Sequence, residues 1–545
     1  MARGADEIDR PDDETSKFVI GVIASPADES IVTEFFELFK TPWELHRPGR
    51  KYDVVLCCGE PKLKEVRADV LLLYSSEKTE FDVEKKIQIQ SREKQPTFFR
   101  AGKSLPIYDY GIRFTGADFI SCFEPTQNQT VVRVGYDLFR EVRFLLAEGQ
   151  PEEKAASPAL DLHIALLRDL ITGSGVPLME IPPVPDGYPF IACMTHDVDH
   201  ASLRRHKFDH TMWGFIYRAT MGSVKNAARG RIPASKVWTN WMAAAKLPFV
   251  YLGLTRDPWL DFDRYTEIEN GKPSTFFFIP FERRPGSSKE KSGDAPKSRG
   301  SRYDVSHVAK KIPKLRAAGC EIGLHGIDAW SESSKGRVEA NRISEFTGAA
   351  NEMGVRMHWL YWDENSPAQL ETAGFTYDST GGFNGAVGYR AGTTQAFKPL
   401  MARRILELPL HVMDTALFYP YHMNLTQSEA WNVMTPLLEH VESNGGTLTV
   451  NWHDRSIAPE RLWGDFYIEM LRRLETSRPW FSTATQAVSW FRKRRAAVFE
   501  GTKVSSPDGD GLPDLRLRIH RQRRARNLPE NYTDTGFRGC IEVAT

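Results

Sequence analysis

IACMTHDVDH, residues 191–200, passes from an apolar start to His196, Asp197, Asp199 and His200 within ten residues. An apolar run of this kind, closed abruptly by polar residues, reads as a buried strand and its end. Four ionisable or polar side chains there are costly unless they pair, bind a metal or do chemistry. The rest of the chain decides between these.

Similar runs recur downstream: STFFFIP (274–280), CEIGLH (320–325), MHWLYW (357–362), GFTYDS (374–379), ILELPL (405–410) and TLTVNWHD (447–454). Helical patterns at 305–319, 336–354, 367–374 and 428–446 separate most of them. Strands alternating with helices predict an α/β fold with a parallel sheet, and seven strands predict an incomplete barrel over 188–490. Residues 201–270 read as a helical, aromatic-rich insertion after the first strand. The run RPGSSKEKSGDAPKSRGS (284–301) reads as a mobile loop.

Ahead of the barrel, residues 1–16 read as disordered and 17–180 as a smaller α/β domain. Its strands are KFVIGVIAS, YDVVLCCG and ADVLLLYSS, and its helices cover 136–149 and 159–175. No glycine-rich phosphate loop accompanies them, so no chemistry is assigned there. Residues 491–545 form a C-terminal extension, in which RKRR (492–495) reads as a solvated helix end.

A chain of 545 residues is too long for one core. Lys+Arg and Asp+Glu both number 71, which gives no support to broad capture of nucleic acid or a membrane surface. Six scattered cysteines offer no disulfide framework and no cysteine-based zinc spacing. The polar N-terminus lacks an apolar signal core, and no run reaches the roughly 20 apolar residues of a membrane span. The expectation is a soluble, cytoplasmic protein with no nucleic-acid partner.

In a parallel barrel the strand C-terminal ends share one face, where active sites are built. Here those ends carry His196, Asp197 and Asp199, then His325, then His358 with Tyr361 and Trp362, then Asp378, His411 with Asp414, and His453 with Asp454. Asp199 and His325 make a hard/borderline ligand pair for zinc or a similar divalent ion. Such an ion lowers the pKa of a bound water. Asp197 is then the candidate base, and His453 the candidate acid for the leaving group. Trp330, Trp359, Tyr361 and Trp362 are candidates for stacking on a sugar ring.

Taken together, THDVDH, the strand ending GLH, the GYRAGT segment and the late TVNWHD strand resemble the polysaccharide deacetylase superfamily, of the carbohydrate esterase family 4 type. The resemblance spans roughly residues 188–490. It implies a distorted (β/α)7 barrel with a divalent metal, zinc first and cobalt or nickel as alternatives, that removes N- or O-acetyl groups from a carbohydrate. It implies Asp197 as base, Asp199 and His325 as ligands, and His453 as general acid, with Leu448 and Val450 on the pocket wall. It also implies Arg390 as the arginine that positions the catalytic aspartate, and Asp414 as a supporting charge. One departure stands out. The family's second histidine ligand falls at Ala329, so the third ligand comes from Asp328, His196, His200 or His358. That gap keeps a catalytically silent carbohydrate-binding barrel open as an alternative. A hydrolase of a non-sugar amide stays open as well, by fold analogy.

Overall fold

A computed structural model describes residues 18–59, 66–100, 102–126, 129–290, 293–348, 353–507, 511–521 and 532–543. The segment read as disordered, 1–16, lies outside them.

The main sheet is parallel throughout and starts from Ile191–Val198, every residue of which is buried. A strand covered on both faces needs such a continuous apolar stretch. On one side of it lie Ser274–Phe278, Glu321–Gly326, Val355–Met357, Tyr377–Asp378 and Leu406–Glu407, in that order. On the other side lie Thr447–Asn451 and then Val412–Met413, while the short Trp480–Phe481 also pairs with Ile191 and Ala192. The two outer strands belong to one stretch of chain. Residues 406–413 pair with Tyr377–Asp378 at their start and with Thr447–Asn451 at their end. The sheet thereby curls into a distorted barrel, as the sequence pattern predicted.

Most of the predicted elements recur with shifted bounds. The strand expected over 357–362 is displaced: it runs Val355–Met357 and gives way to a tight turn, His358–Leu360. Trp359 and Leu360 there take left-handed φ values of 63° and 53°, strained for side chains of this size. The helix Gln427–Asn444 begins at Thr426, which exchanges capping hydrogen bonds with Glu429, and stops at Gly445 with φ 82°.

The N-terminal sheet has the order Trp43–Leu45, Ile20–Ile23, Lys51–Cys58, Arg67–Tyr74, Gln129–Val134, Ile120–Thr126, antiparallel only at the last pair. The helices Glu29–Phe39, Leu138–Ala147 and Ala159–Gly173 bury their apolar faces in its core.

The RKRR run is not solvated. Arg494 is 1% exposed and donates to the carbonyls of Ile181, Glu37 and Leu38 and to Gln395 Oε1. Arg495 pairs with Glu34 at 2.7 Å. Beyond this helix, Leu515–His520 pairs antiparallel with Leu178–Glu180. There His520 and Arg168 both meet the buried Glu180 carboxylate.

The run 284–301 is anchored at its end. Arg299 is buried and donates to the carbonyls of Ile327 and His358, and Ser301 Oγ donates to the carbonyl of Asp199 at 2.7 Å. A caged guanidinium overrides the loop-like composition.

Candidate active site

Side chains alternate across a strand, so residues two apart share a face. This rule builds the site. Ile191 and Cys193 pack in the barrel interior with Phe277, Tyr377 and Leu408, whereas Ala192, Met194 and Val198 pack in the helical layer. Thr195, Asp197 and Asp199 therefore follow Cys193 inward. His196 points outward to Glu269 Oε1 at 2.7 Å and the Trp452 carbonyl at 2.8 Å, so it is a core histidine and not a ligand. His200 meets His206 at 3.2 Å and is likewise outside the ligand cluster.

Two further strands contribute inward pairs of the same kind, Arg356 with His358 and Asn451 with His453. The site thus has two levels. In the lower, Asp197 Oδ1 accepts from Arg356 Nη1 at 3.0 Å and Oδ2 from Asn451 Nδ2 at 2.7 Å. Arg356 is fully buried and also donates to Thr195 Oγ1 and to the carbonyl and hydroxyl of Ser379.

In the upper level, Asp199, His325 and His358 bring ligand atoms to within 4.8 Å of one another. His325 Nε2 lies 3.2 Å and His358 Nε2 3.5 Å from Asp199 Oδ1. His325 Nδ1 faces the carbonyl of Arg356 at 2.9 Å. A carbonyl can only accept, so the proton sits on Nδ1 and the Nε2 lone pair points into the cluster. Asp199 Oδ1 is buried without a hydrogen bond of good geometry. An orphaned carboxylate oxygen between two imidazoles fits a borderline divalent cation such as zinc, whose usual donors are these.

Burial would raise the pKa of Asp199, but the imidazoles around it, with His453 charged against Asp414, outweigh it and hold the carboxyl well below its ordinary range. Burial keeps His358 neutral, well below the ordinary imidazole value, which suits a ligand. His453 behaves oppositely. Burial opposes its charge, yet Asp414 Oδ1, 2.6 Å from Nδ1, raises its pKa to about 10. Asp414 Oδ2 also accepts the backbone N–H of His453 at 2.7 Å. The Nε2 of His453 is left facing Asp199 Oδ2 at 3.7 Å.

These groups lie at the floor of a cavity of about 780 Å³ whose wall includes Trp359, Tyr361, Arg302, Arg455 and Arg461. Several expected site residues lie elsewhere. Arg390 reaches the carbonyl of Glu148 and lies over Phe383, lining a separate cavity at the end of the helix Leu138–Ala147. The arginine that meets Asp197 is Arg356. Asp328 accepts from the backbone of Ser287 and is outside the ligand cluster. Trp330 is buried and edge-on to Tyr361, and Trp362 lines the second cavity. Leu448 and Val450 face the helical layer, not the pocket. Arg356 and Asn451 were missed from the sequence, although each stands two residues before a histidine already singled out.

No protein-family model matches the sequence, and no curated protein does. Among solved structures, the chain is similar to a probable polysaccharide deacetylase from Pseudomonas aeruginosa, at 13% identity and TM-score 0.35, covering 56% of this chain and 92% of that one. Polysaccharide deacetylases stand among its structural neighbours. A Puue allantoinase gives 13% identity and TM-score 0.33, over 57% of this chain and 93% of that one. Agd3, described as a novel carbohydrate deacetylase, gives 7% identity and TM-score 0.32, but over 93% of this chain and 91% of that one.

Proposed function

We propose that the protein is a metal-dependent hydrolase that removes an acetyl group, N- or O-linked, from a carbohydrate. One observation carries this reading. A buried aspartate held by an arginine and an asparagine lies directly below an Asp–His–His cluster, and a carboxylate-backed histidine flanks both.

Asp199, His325 and His358 would hold the ion. When bound, it would supply an acidified water and polarise the acyl oxygen. Asp197 is the base. Arg356 and Asn451 keep its carboxylate oriented toward the floor of the cavity, where it takes a proton. His453 is the acid. Asp414 fixes its Nδ1 proton and leaves Nε2 free to protonate the departing amine or alkoxide. Trp359 and Tyr361 on the wall are placed to contact the sugar, and Arg299 stacks over the Tyr361 ring at 4.2 Å.

The test is acetate release from a panel of N- and O-acetylated oligosaccharides by metal-stripped protein resupplied with zinc, cobalt or nickel. Turnover should require the ion and vanish in Asp197→Ala while the ion stays bound. A native protein that takes up no ion would be a silent barrel. An ion-loaded protein that cleaves only non-sugar amides would be a hydrolase of the other kind.

A further inference from the structure

Residues 201–256 carry ten Lys/Arg and a single acidic residue, Asp209, in a chain whose charges cancel overall. The same segment holds 11 of the 21 large hydrophobic side chains exposed among the described residues. Scattered exposed apolar residues are ordinary, but such a concentration is not.

The pattern is helical and two-sided. Along His210–Tyr217 and its continuation through Ser223–Ala228, Trp213, Tyr217, Met221 and Val224 form an exposed stripe at spacings of four, four and three. Along Ala234–Ala245 and Leu247–Tyr251, Trp238, Trp241, Met242 and Phe249 form another. The inward residues Phe215, Ala219, Leu247 and Val250 pack on Trp259 and Ala458, so the outward stripes have no cover. Phe208 is 82% exposed and Leu252 72%. Lys207, Lys225, Arg229, Arg231, Lys246 and Arg256 are exposed around them.

We propose that this insertion docks the protein on an anionic lipid bilayer, lying in the interface without crossing it. Amphipathic helices with Trp, Phe and Leu on one side and Lys/Arg around them bind such surfaces. Tryptophan and tyrosine favour the headgroup level, and each cation near an anionic leaflet adds attraction. A second copy of the chain is a poorer occupant, since a two-fold interface would set two strongly cationic segments against each other. A different protein is also a poorer fit, because protein interfaces are depleted in lysine. The aliphatic members Met221, Val224 and Leu252 give a nucleic acid nothing to stack on. No helix among the described residues is long and apolar enough to span a membrane, as an in-plane mode requires.

The consequence for the cavity is positional. Thr211 and Arg218, on the helices that carry the first stripe, line the cavity above Asp199. Its mouth would open beside the bilayer, where an acetylated sugar on a lipid carrier would be presented. That last step rests on the hydrolase reading, whereas the docking itself does not.

The experiment is co-sedimentation of the full chain with phosphatidylcholine vesicles with and without phosphatidylglycerol, at low and high salt. The expected result is binding to the phosphatidylglycerol vesicles only, weakened by salt. Binding should fall at least about tenfold in Trp213→Ser/Trp238→Ser/Trp241→Ser and in Lys225→Gln/Arg229→Gln/Arg231→Gln. Quenching of the native protein's tryptophans by brominated lipid checks insertion without any substitution. Three results would overturn the proposal: no sedimentation with phosphatidylglycerol vesicles, equal binding to phosphatidylcholine alone, or a dimer that the tryptophan variant dissolves while vesicles stay unbound. None of these reads acetate release, so failure here and failure of the hydrolase reading are separable.

Discussion

The carbonyl oxygen of Arg356 receives the Nδ1 proton of His325 at 2.9 Å. The guanidinium of the same residue holds Asp197. One strand residue therefore sets the tautomer of a candidate ligand through its backbone and orients the candidate base through its side chain.

Replacing Arg356 by alanine would leave the Asp197 carboxylate buried beside a void. Removing one partner of a buried pair costs about 3–5 kcal/mol. A Tm well below that of the native protein and loss of turnover are expected. Arg390→Gln, in the separate cavity, should leave turnover unchanged within about the error expected of a half-exposed position. Equal activity losses in the two variants would contradict the assignment of the arginine.

The ligand set is checked by elemental analysis after dialysis. The native protein should bind about one ion per chain, and His358→Ala should lose it. Asp328→Ala, His196→Ala and His200→Ala should keep it wherever they fold, since their side chains are committed elsewhere.

Asp414→Asn would remove the charge behind His453 and disturb its Nδ1 hydrogen bond. Turnover should fall by roughly 10²–10⁴-fold, the usual contribution of a positioned acid. Metal content should not change. Loss of the ion would mean that the pair acts on the ligand cluster instead.

Glu180 gives a pH prediction away from the site. Burial alone would raise its pKa, but Arg168 and His520 lower it to about 2, below its ordinary 4.5. A carboxyl with a depressed folded pKa stabilises the fold above its unfolded value, and that contribution disappears as pH falls through the folded one. It is on the order of 3 kcal/mol. The gap in Tm between native protein and Glu180→Gln should be widest above pH 4.5 and close as pH falls towards 2. A gap independent of pH would point to packing rather than charge.

The barrel and much of the candidate site were legible because strand ends announce themselves: Asp197, Asp199, His325, His453 and Asp414 all follow or close apolar runs. His358 was one of four candidates, since which residue fills the place left at Ala329 depends on how neighbouring strands register. Arg356 fell just ahead of the predicted strand, which in the structure starts two residues earlier, at Val355. Its partners Thr195 and Asp197 come from a strand 161 and 159 residues away in sequence. The RKRR run was misread for a related reason. Its acceptors are carbonyls and a carboxylate on the helix Glu29–Phe39, with Ile181 and Gln395, and nothing local reveals them. The zero net charge concealed the strongly cationic insertion, because a whole-chain balance averages over the surface that matters.

The guanidinium of Arg494 bears on how the molecule can be taken apart. It is wrapped by carbonyls from residues 37, 38 and 181, while Arg495 is bound to Glu34. A proteolytic fragment cut free of the helix Glu29–Phe39 would carry that cation with two of its four acceptor oxygens gone and Arg495 without its Glu34 partner. The segments on either side of the clamp should therefore melt as one transition, and the barrel should not survive as an excised fragment.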